Sequence, residues 1–97
     1  MSALARNEVV YGAGFLHDVQ KLQYEVQEKL AQLLDILVVD AFDPRLHTKP
    51  LGAPLKGVYS FRITRDWRVA FEFFGQHTIK LLVADHRNRI YKRLARR

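Results

Sequence analysis

An α+β domain is what the order of patterns along these 97 residues predicts: an N-terminal strand, a helical hairpin, a three-stranded antiparallel meander and a short C-terminal helix. Three observations carry the expectation. Residues 55–74, LKGVYSFRITRDWRVAFEFF, alternate apolar and polar side chains on both sides of a tight turn, and a period of two belongs to strands. Residues 15–39 repeat apolar side chains at helical spacing instead. All three prolines fall between these two regions, where they mark a connector.

Taken in order, Met1–Asn7 reads as a loose lead-in, and Glu8–Tyr11 (EVVY) as a short strand rich in β-branched and aromatic residues. Gly12 and Gly14 break it. Phe15, Val19 and Leu22 then begin an amphipathic stripe that continues through Val26, Leu30, Leu33, Leu34 and Leu37, with Gln27, Glu28, Gln32 and Asp35 opposite. The length of the stripe predicts two helices in a hairpin, or one kinked helix, with a break near Gln23. Pro44 ends it, because proline cannot continue a helix. Asp43–Pro54 (DPRLHTKPLGAP) reads as a stiff loop.

In the meander, Tyr59, Phe61 and Ile63 alternate with Ser60, Arg62 and Thr64. After a turn at Thr64–Trp67, the residues Trp67, Val69, Phe71 and Phe73 alternate with Arg68, Ala70, Glu72 and Phe74. Gly75 opens a second turn, read as a two-residue type II′ loop. His77–Ala84 reads as the third strand, with Ile79, Leu81 and Val83 on one face. The helices are expected to cover Phe61, Ile63, Val69, Phe71, Ile79, Leu81 and Val83. The opposite face, with Ser60, Arg62, Thr64, Arg68 and Glu72, is expected to stay accessible. Asp85–Arg97 is a basic tail in which Ile90 and Leu94 are spaced for a short helix. Periodicity does not place the N-terminal strand.

The chain is short enough for one domain, 1–97. It has no cysteine, which excludes disulfides and thiolate metal sites. His17, His47 and His77 lack metal-ligand spacing, so no metal or other cofactor is expected. Apolar runs such as Ile36–Val39 are far too short for a membrane span, and the N-terminus lacks a secretory pattern; a cytoplasmic location is the expectation. The net charge of +6 is unevenly spread. Residues 1–43 hold three basic and seven acidic groups, net −4, and residues 44–97 hold thirteen basic and three acidic, net +10. A half so basic favours a polyanionic partner.

The combination of L-x-G, S-F-R-I, D-W-R-V-x-F and H-R-x-x-I-Y, in LKGVYSFRITRDWRVAFEF and ADHRNRIYKRL, resembles the RelE/ParE toxin superfamily of bacterial toxin–antitoxin modules. The resemblance runs from EVVY through Leu94. It implies a small twisted sheet on two helices, with an active groove on the sheet face away from them. RelE-like members cleave mRNA, usually in the ribosomal A site, whereas ParE-like members keep the fold and poison DNA gyrase. The basic residues and the His/Tyr pair resemble the nuclease branch, so a ribosome-dependent, metal-independent endoribonuclease that inhibits translation is expected, with a ParE-like gyrase inhibitor as the alternative. Arg68 matches the family's aromatic-Arg-hydrophobic strand motif, Arg62 a basic position in the preceding strand, Tyr91 a C-terminal tyrosine of several nucleases, and His86 a position held by arginine or histidine. Ser60 stands where RelE is richest in lysine. The implied partners are ribosome and mRNA, and a cognate antitoxin whose acidic amphipathic segment would form a toxin–antitoxin hetero-oligomer.

Those residue types suit RNA cleavage by the 2′-hydroxyl. Arginine forks onto phosphate oxygens and keeps its charge, which suits Arg62 and Arg68 to stabilising the phosphoryl oxygens. Histidine titrates near neutrality, which makes His86 a candidate acid or base. Tyr91 can stack on a base or hydrogen-bond a phosphate. Lys49, Lys56, Arg65, Arg87, Arg89 and Lys92 are candidate contacts to RNA backbone. Ordinary structural roles compete with each reading: cross-strand pairing of Arg62 and Arg68 with Glu72, capping by His86, and packing of Tyr91 with Ile90 and Leu94.

Overall fold

The structure is a computed structural model that describes residues 6–96. Its elements are β1 (Glu8–Tyr11), α1 (Phe15–Gln20), α2 (Tyr24–Val39), a 3-10 turn (Pro44–Leu46), β2 (Lys49–Pro50), β3 (Val58–Arg62), β4 (Trp67–Phe74), β5 (Thr78–His86) and α3 (Ile90–Ala95). One five-stranded sheet has the order β1-β5-β4-β3-β2. The expected meander is its centre, β3-β4-β5, and is not the whole of it. β1 adds to β5 in parallel, pairing Glu8 with Thr78 and Tyr11 with Leu81. β2 adds to β3 antiparallel, pairing Lys49 with Ser60. The proline-rich stretch read as a loop therefore contributes an edge strand and the fully buried Leu46. Proline is tolerated there because an edge strand has free backbone groups.

The helical stripe divides where glutamine precedes the second turn. Gln23 takes an extended conformation and caps α2, so residues 21–23 separate two helices. Phe15, Leu22, Val26, Leu30, Leu33 and Leu37 bury against Phe61, Ile63, Val69, Phe71, Ile79 and Leu81. Each such side chain contributes roughly 1.5–3 kcal/mol by leaving water. Tyr59, Phe71, Phe73 and Phe42 extend this layer as a ladder of rings with centroids 5.5–5.9 Å apart. Of the expected lead-in, residues 1–5 lie outside the described residues. Asn7 is anchored, its backbone N–H donating to Val38 O at 2.8 Å and its side-chain amide to Leu37 O at 2.9 Å.

One turn and one strand end differ from their expected form. The loop between β4 and β5 has three residues, 75–77, because Phe74 pairs with Thr78; Gly75 holds a positive φ of 75°, the left-handed conformation glycine accepts. β5 also runs two residues past the expected Ala84, to His86.

The third difference is larger. The β4–β5 register steps from Ala70↔Val83 to Phe71↔Leu81, leaving Leu82 as an extra, unpaired residue. This is a β-bulge, which re-aims the side chains that follow it. Val83 is consequently not under α1 and α2. It joins Val58, Ala70 and Leu82 on the opposite face, where Ile90 and Leu94 of α3 cover them. That face, expected to be uncovered, thus carries a second small apolar cluster and a helix over part of it.

Gly12 lies where β1 ends against β5. Its N–H donates to Leu81 O at 2.7 Å, and a Cβ at Gly12 would sit 2.8 Å from that same backbone oxygen. Gly12→Ala should lower stability by about 1–3 kcal/mol through this overlap. Gly14→Ala, with nothing within 4 Å of its added carbon, should stay within about 0.5 kcal/mol of the parent. Urea denaturation of the two variants checks the pair; equal midpoints would contradict the close approach.

Candidate nucleic-acid interface

On the sheet face that carries α3, Lys49, Leu51, Ser60, Arg68, Arg87, Asn88, Ile90 and Tyr91 line a groove of about 210 Å³. Ser60 and Arg68 reach it by strand alternation, since Ser60 pairs with Ala70 and Arg62 with Arg68 on adjacent antiparallel strands. Directly paired residues share a face, so Arg62 stands beside Arg68 just outside the groove lining. Lys49 comes from β2, and Asn88 and Arg87 from the turn leading into α3. Tyr91 is half exposed at 47%, so its phenol is open to a ligand while Ile90 and Leu94 hold the helix down.

The two arginines are the unusual feature. Like charges directly opposite on paired strands are destabilising. Neither Arg62 nor Arg68 forms an ion pair among the described residues; the cross-strand pairing with Glu72 is not made. The Nε of each is buried without a hydrogen-bond partner. Buried donors without acceptors are rare and costly, and with no carboxylate ion-paired to either side chain among the described residues the two guanidinium charges stand together.

Asp85 is the cross-strand partner of Arg68, yet its carboxylate is engaged elsewhere. Oδ1 accepts from the His86 N–H at 2.6 Å and from Arg89 Nε at 2.9 Å, and Oδ2 accepts from Arg93 Nη1 at 3.1 Å. Arg93 Nη1 also lies 3.0 Å from Asp18 Oδ1, and Asp18 Oδ2 accepts the Ala84 N–H at 3.0 Å. Burial alone would push the Asp85 carboxyl up; the His86 N–H and the Arg93 and Arg89 guanidinium groups outweigh it and hold the carboxyl below its usual range. Burial likewise opposes the charge on Arg93, and Asp18 and Asp85 outweigh it, raising Arg93 further. The carboxylate paired in register with Arg68 is thereby neutralised without drawing on Arg68.

The expected site residues separate into groups. Arg68 and Tyr91 meet in the groove, with Arg62 alongside. His86 does not join them: it pairs with Trp67 on the α1/α2 face, with ring centroids 5.3 Å apart in an edge-on arrangement, and its Nδ1 accepts the Asn88 N–H at 3.2 Å. Among the expected RNA contacts, Lys49 and Arg87 line the groove, Arg87 also lying 3.6 Å from Asp66. Arg89 pairs with Asp85. Lys56, Arg65 and Lys92 are exposed outside the groove lining. Asp18 is the residue that sequence reading missed. It falls between Phe15 and Leu22 on the buried side of its helix, and a carboxylate on an apolar stripe is a signal of a buried pair. No group of three or more metal-ligating side chains occurs among the described residues, and no helix among them is long and apolar enough to cross a membrane.

Three helices and a five-stranded mixed sheet in this arrangement are a fold shared with solved toxins of toxin–antitoxin systems. Among solved structures, YafQ from E. coli strain BL21(DE3) is similar at 17% identity and a TM-score of 0.72, over 88% of this chain and 98% of that one. The toxin–antitoxin complex RelBE2 from Mycobacterium tuberculosis matches at 24% identity and 0.71, over 84% and 99%. A RelE–RelB complex from Pyrococcus horikoshii OT3 matches at 20% and 0.70, over 86% and 97%. No protein-family model matches the sequence, and no curated protein matches it by sequence.

The Asp85 network has a pH signature. A carboxyl whose folded value is depressed contributes stability in full above its unfolded value, about 3.9, and loses it as pH falls through the folded value. Asp85→Asn should cost about 1–3 kcal/mol at pH 7, by leaving its donors short of an acceptor. It should also flatten the decline in stability below about pH 4. Denaturation at pH 7 and pH 3 checks both; an unchanged acid limb would contradict the assignment.

Proposed function

We propose that the chain is a RelE/ParE-superfamily toxin that cleaves mRNA on the ribosome and thereby stops translation. The observation that carries this reading is the pair Arg62 and Arg68, side by side with buried, unpartnered Nε atoms at a groove that also holds Tyr91 and Lys49. The fold supports it by likeness to toxin structures.

Cleavage by the 2′-hydroxyl forms a bond from that oxygen to phosphorus and breaks the bond to the 5′-oxygen, leaving a cyclic phosphate and a 5′-hydroxyl. Charge grows on the two non-bridging oxygens, where Arg68 and Arg62 present forked donors that do not lose their protons. Preorganised donors of this kind are commonly the largest catalytic contribution. The groove has no histidine or carboxylate in its lining, so proton transfer to and from the two oxygens falls to the Tyr91 phenol and the Lys49 amine. His86, turned to Trp67, is assigned a structural role. Lys56, Arg65, Arg87 and Lys92 extend the positive surface toward ribosomal RNA, an attraction that weakens as salt rises. The partner that silences the toxin is an antitoxin with an acidic, amphipathic segment that folds on binding.

One observation favours a second reading, gyrase inhibition without chemistry: the displacement of His86 removes an expected proton carrier from the groove. Primer extension on mRNA from expressing cells separates the two. The nuclease reading expects cuts at fixed codon positions, lost on co-expression of the antitoxin and reduced about 10²–10³-fold by Arg68→Ala, as for removal of one oxyanion donor. Intact mRNA together with blocked supercoiling by purified gyrase would replace it with the second reading.

A further inference from the structure

α3 has only six residues, too few to hold a helix on its own, and its orientation decides whether Tyr91 faces the groove. Two of its sides are anchored. Ile90 and Leu94 bury against Val58, Ala70, Leu82 and Val83. Arg89 and Arg93, four residues apart and so on one side, reach around the edge of β5 to carboxylates. Arg93 is the bridge: one nitrogen, Nη1, lies 3.0 Å from Asp18 of α1 and 3.1 Å from Asp85 of β5. Both carboxylates are buried, at 6% and 8% exposure. The bridge forms where β1 has stopped pairing, since β1 reaches only Leu81, and Asp18 takes the Ala84 N–H that a longer β1 would have bonded.

We infer that Arg93 is a positioning residue of the groove: by joining Asp18 to Asp85 it keeps the Asp85 carboxylate turned from Arg68. This rests on the reading of the groove as an anion site. Asp85 and Arg68 are direct cross-strand partners, so once Arg93 is removed Arg89, 2.9 Å from Oδ1, is left to compete with Arg68 for the carboxylate, and Oδ2 is free to turn to Arg68. A carboxylate on Arg68 would occupy the donors needed for phosphate. Arg93 itself is absent from the groove lining and acts only through Asp85.

The test compares the full chain with Arg93→Ala, Arg93→Lys and the double variant Arg93→Ala/Asp85→Asn. The first readout is the ¹⁵N–¹H resonance of Arg68 Nε in the free protein. It should shift in Arg93→Ala, shift less in Arg93→Lys, and return toward the parent position in the double variant, where no carboxylate is left to reach Arg68. The second readout is ribosome-dependent mRNA cutting. It should fall about tenfold or more in Arg93→Ala, as expected for misplacement of reacting groups, and recover in the double variant although the latter melts no higher. A role in stability alone predicts the reverse, a double variant that cuts no better than the single one. An Arg68 resonance unmoved in folded Arg93→Ala, or a double variant without recovery, would overturn the inference. If the resonance follows the expected pattern while even the parent cuts no RNA, positioning stands and the nuclease reading fails.

Discussion

One extra residue in β5, Leu82, decides which side chains meet on each face of the sheet. Up to Leu81 the strand alternates as its sequence suggests, with Ile79 and Leu81 under the helices. Past the bulge the parity is reversed: Val83 and Asp85 turn to the α3 face, and Ala84 and His86 to the α1/α2 face. An unbroken strand would have put Asp85 into the principal core, where an isolated carboxylate is strongly disfavoured. The bulge instead delivers it to the margin of that core, within reach of Arg89 and Arg93.

The electrostatics of the groove follow from that placement. The sheet face holds two facing arginines that form no ion pair among the described residues, because the one carboxylate paired with them in register is held by the C-terminal helix. Such an arrangement costs stability in the free protein, a pattern expected where binding rather than folding has shaped a surface. The second apolar cluster has its own part in this. Val58, Ala70, Leu82 and Val83 give α3 a seat, so that a six-residue helix with an exposed tyrosine can be held at the groove.

Much of this was legible in the sequence, and the losses have identifiable causes. The helical stripe and its break near Gln23, the β3–β4 hairpin, the glycine turn at Gly75 and the C-terminal helix all follow from local periodicity and turn chemistry, and the structure has each of them. β1 was visible as a strand, but its parallel partner lies some seventy residues away and no local pattern names it. β2 was hidden because Lys49 and Pro50 sit among prolines, and only an edge position allows a strand there. In the site, Arg62 and Arg68 could be placed together because a short hairpin fixes their register. His86 could not be placed, because the bulge that turns it lies in a continuous apolar run, Ile79–Ala84 with only Lys80 intervening, that gives alternation nothing to work on.

The account depends most on the reversed parity at the end of β5, and through-space proton contacts measure it directly. A nuclear Overhauser spectrum of the folded protein should show cross-peaks between the His86 ring and the Trp67 indole, and between Asp85 Hβ and the Arg93 side chain, with none from His86 to Arg68 or Tyr91. Cross-peaks from the His86 ring to Arg68 or Tyr91, with Asp85 contacting residues of α2, would show an unbulged strand and contradict the groove described above.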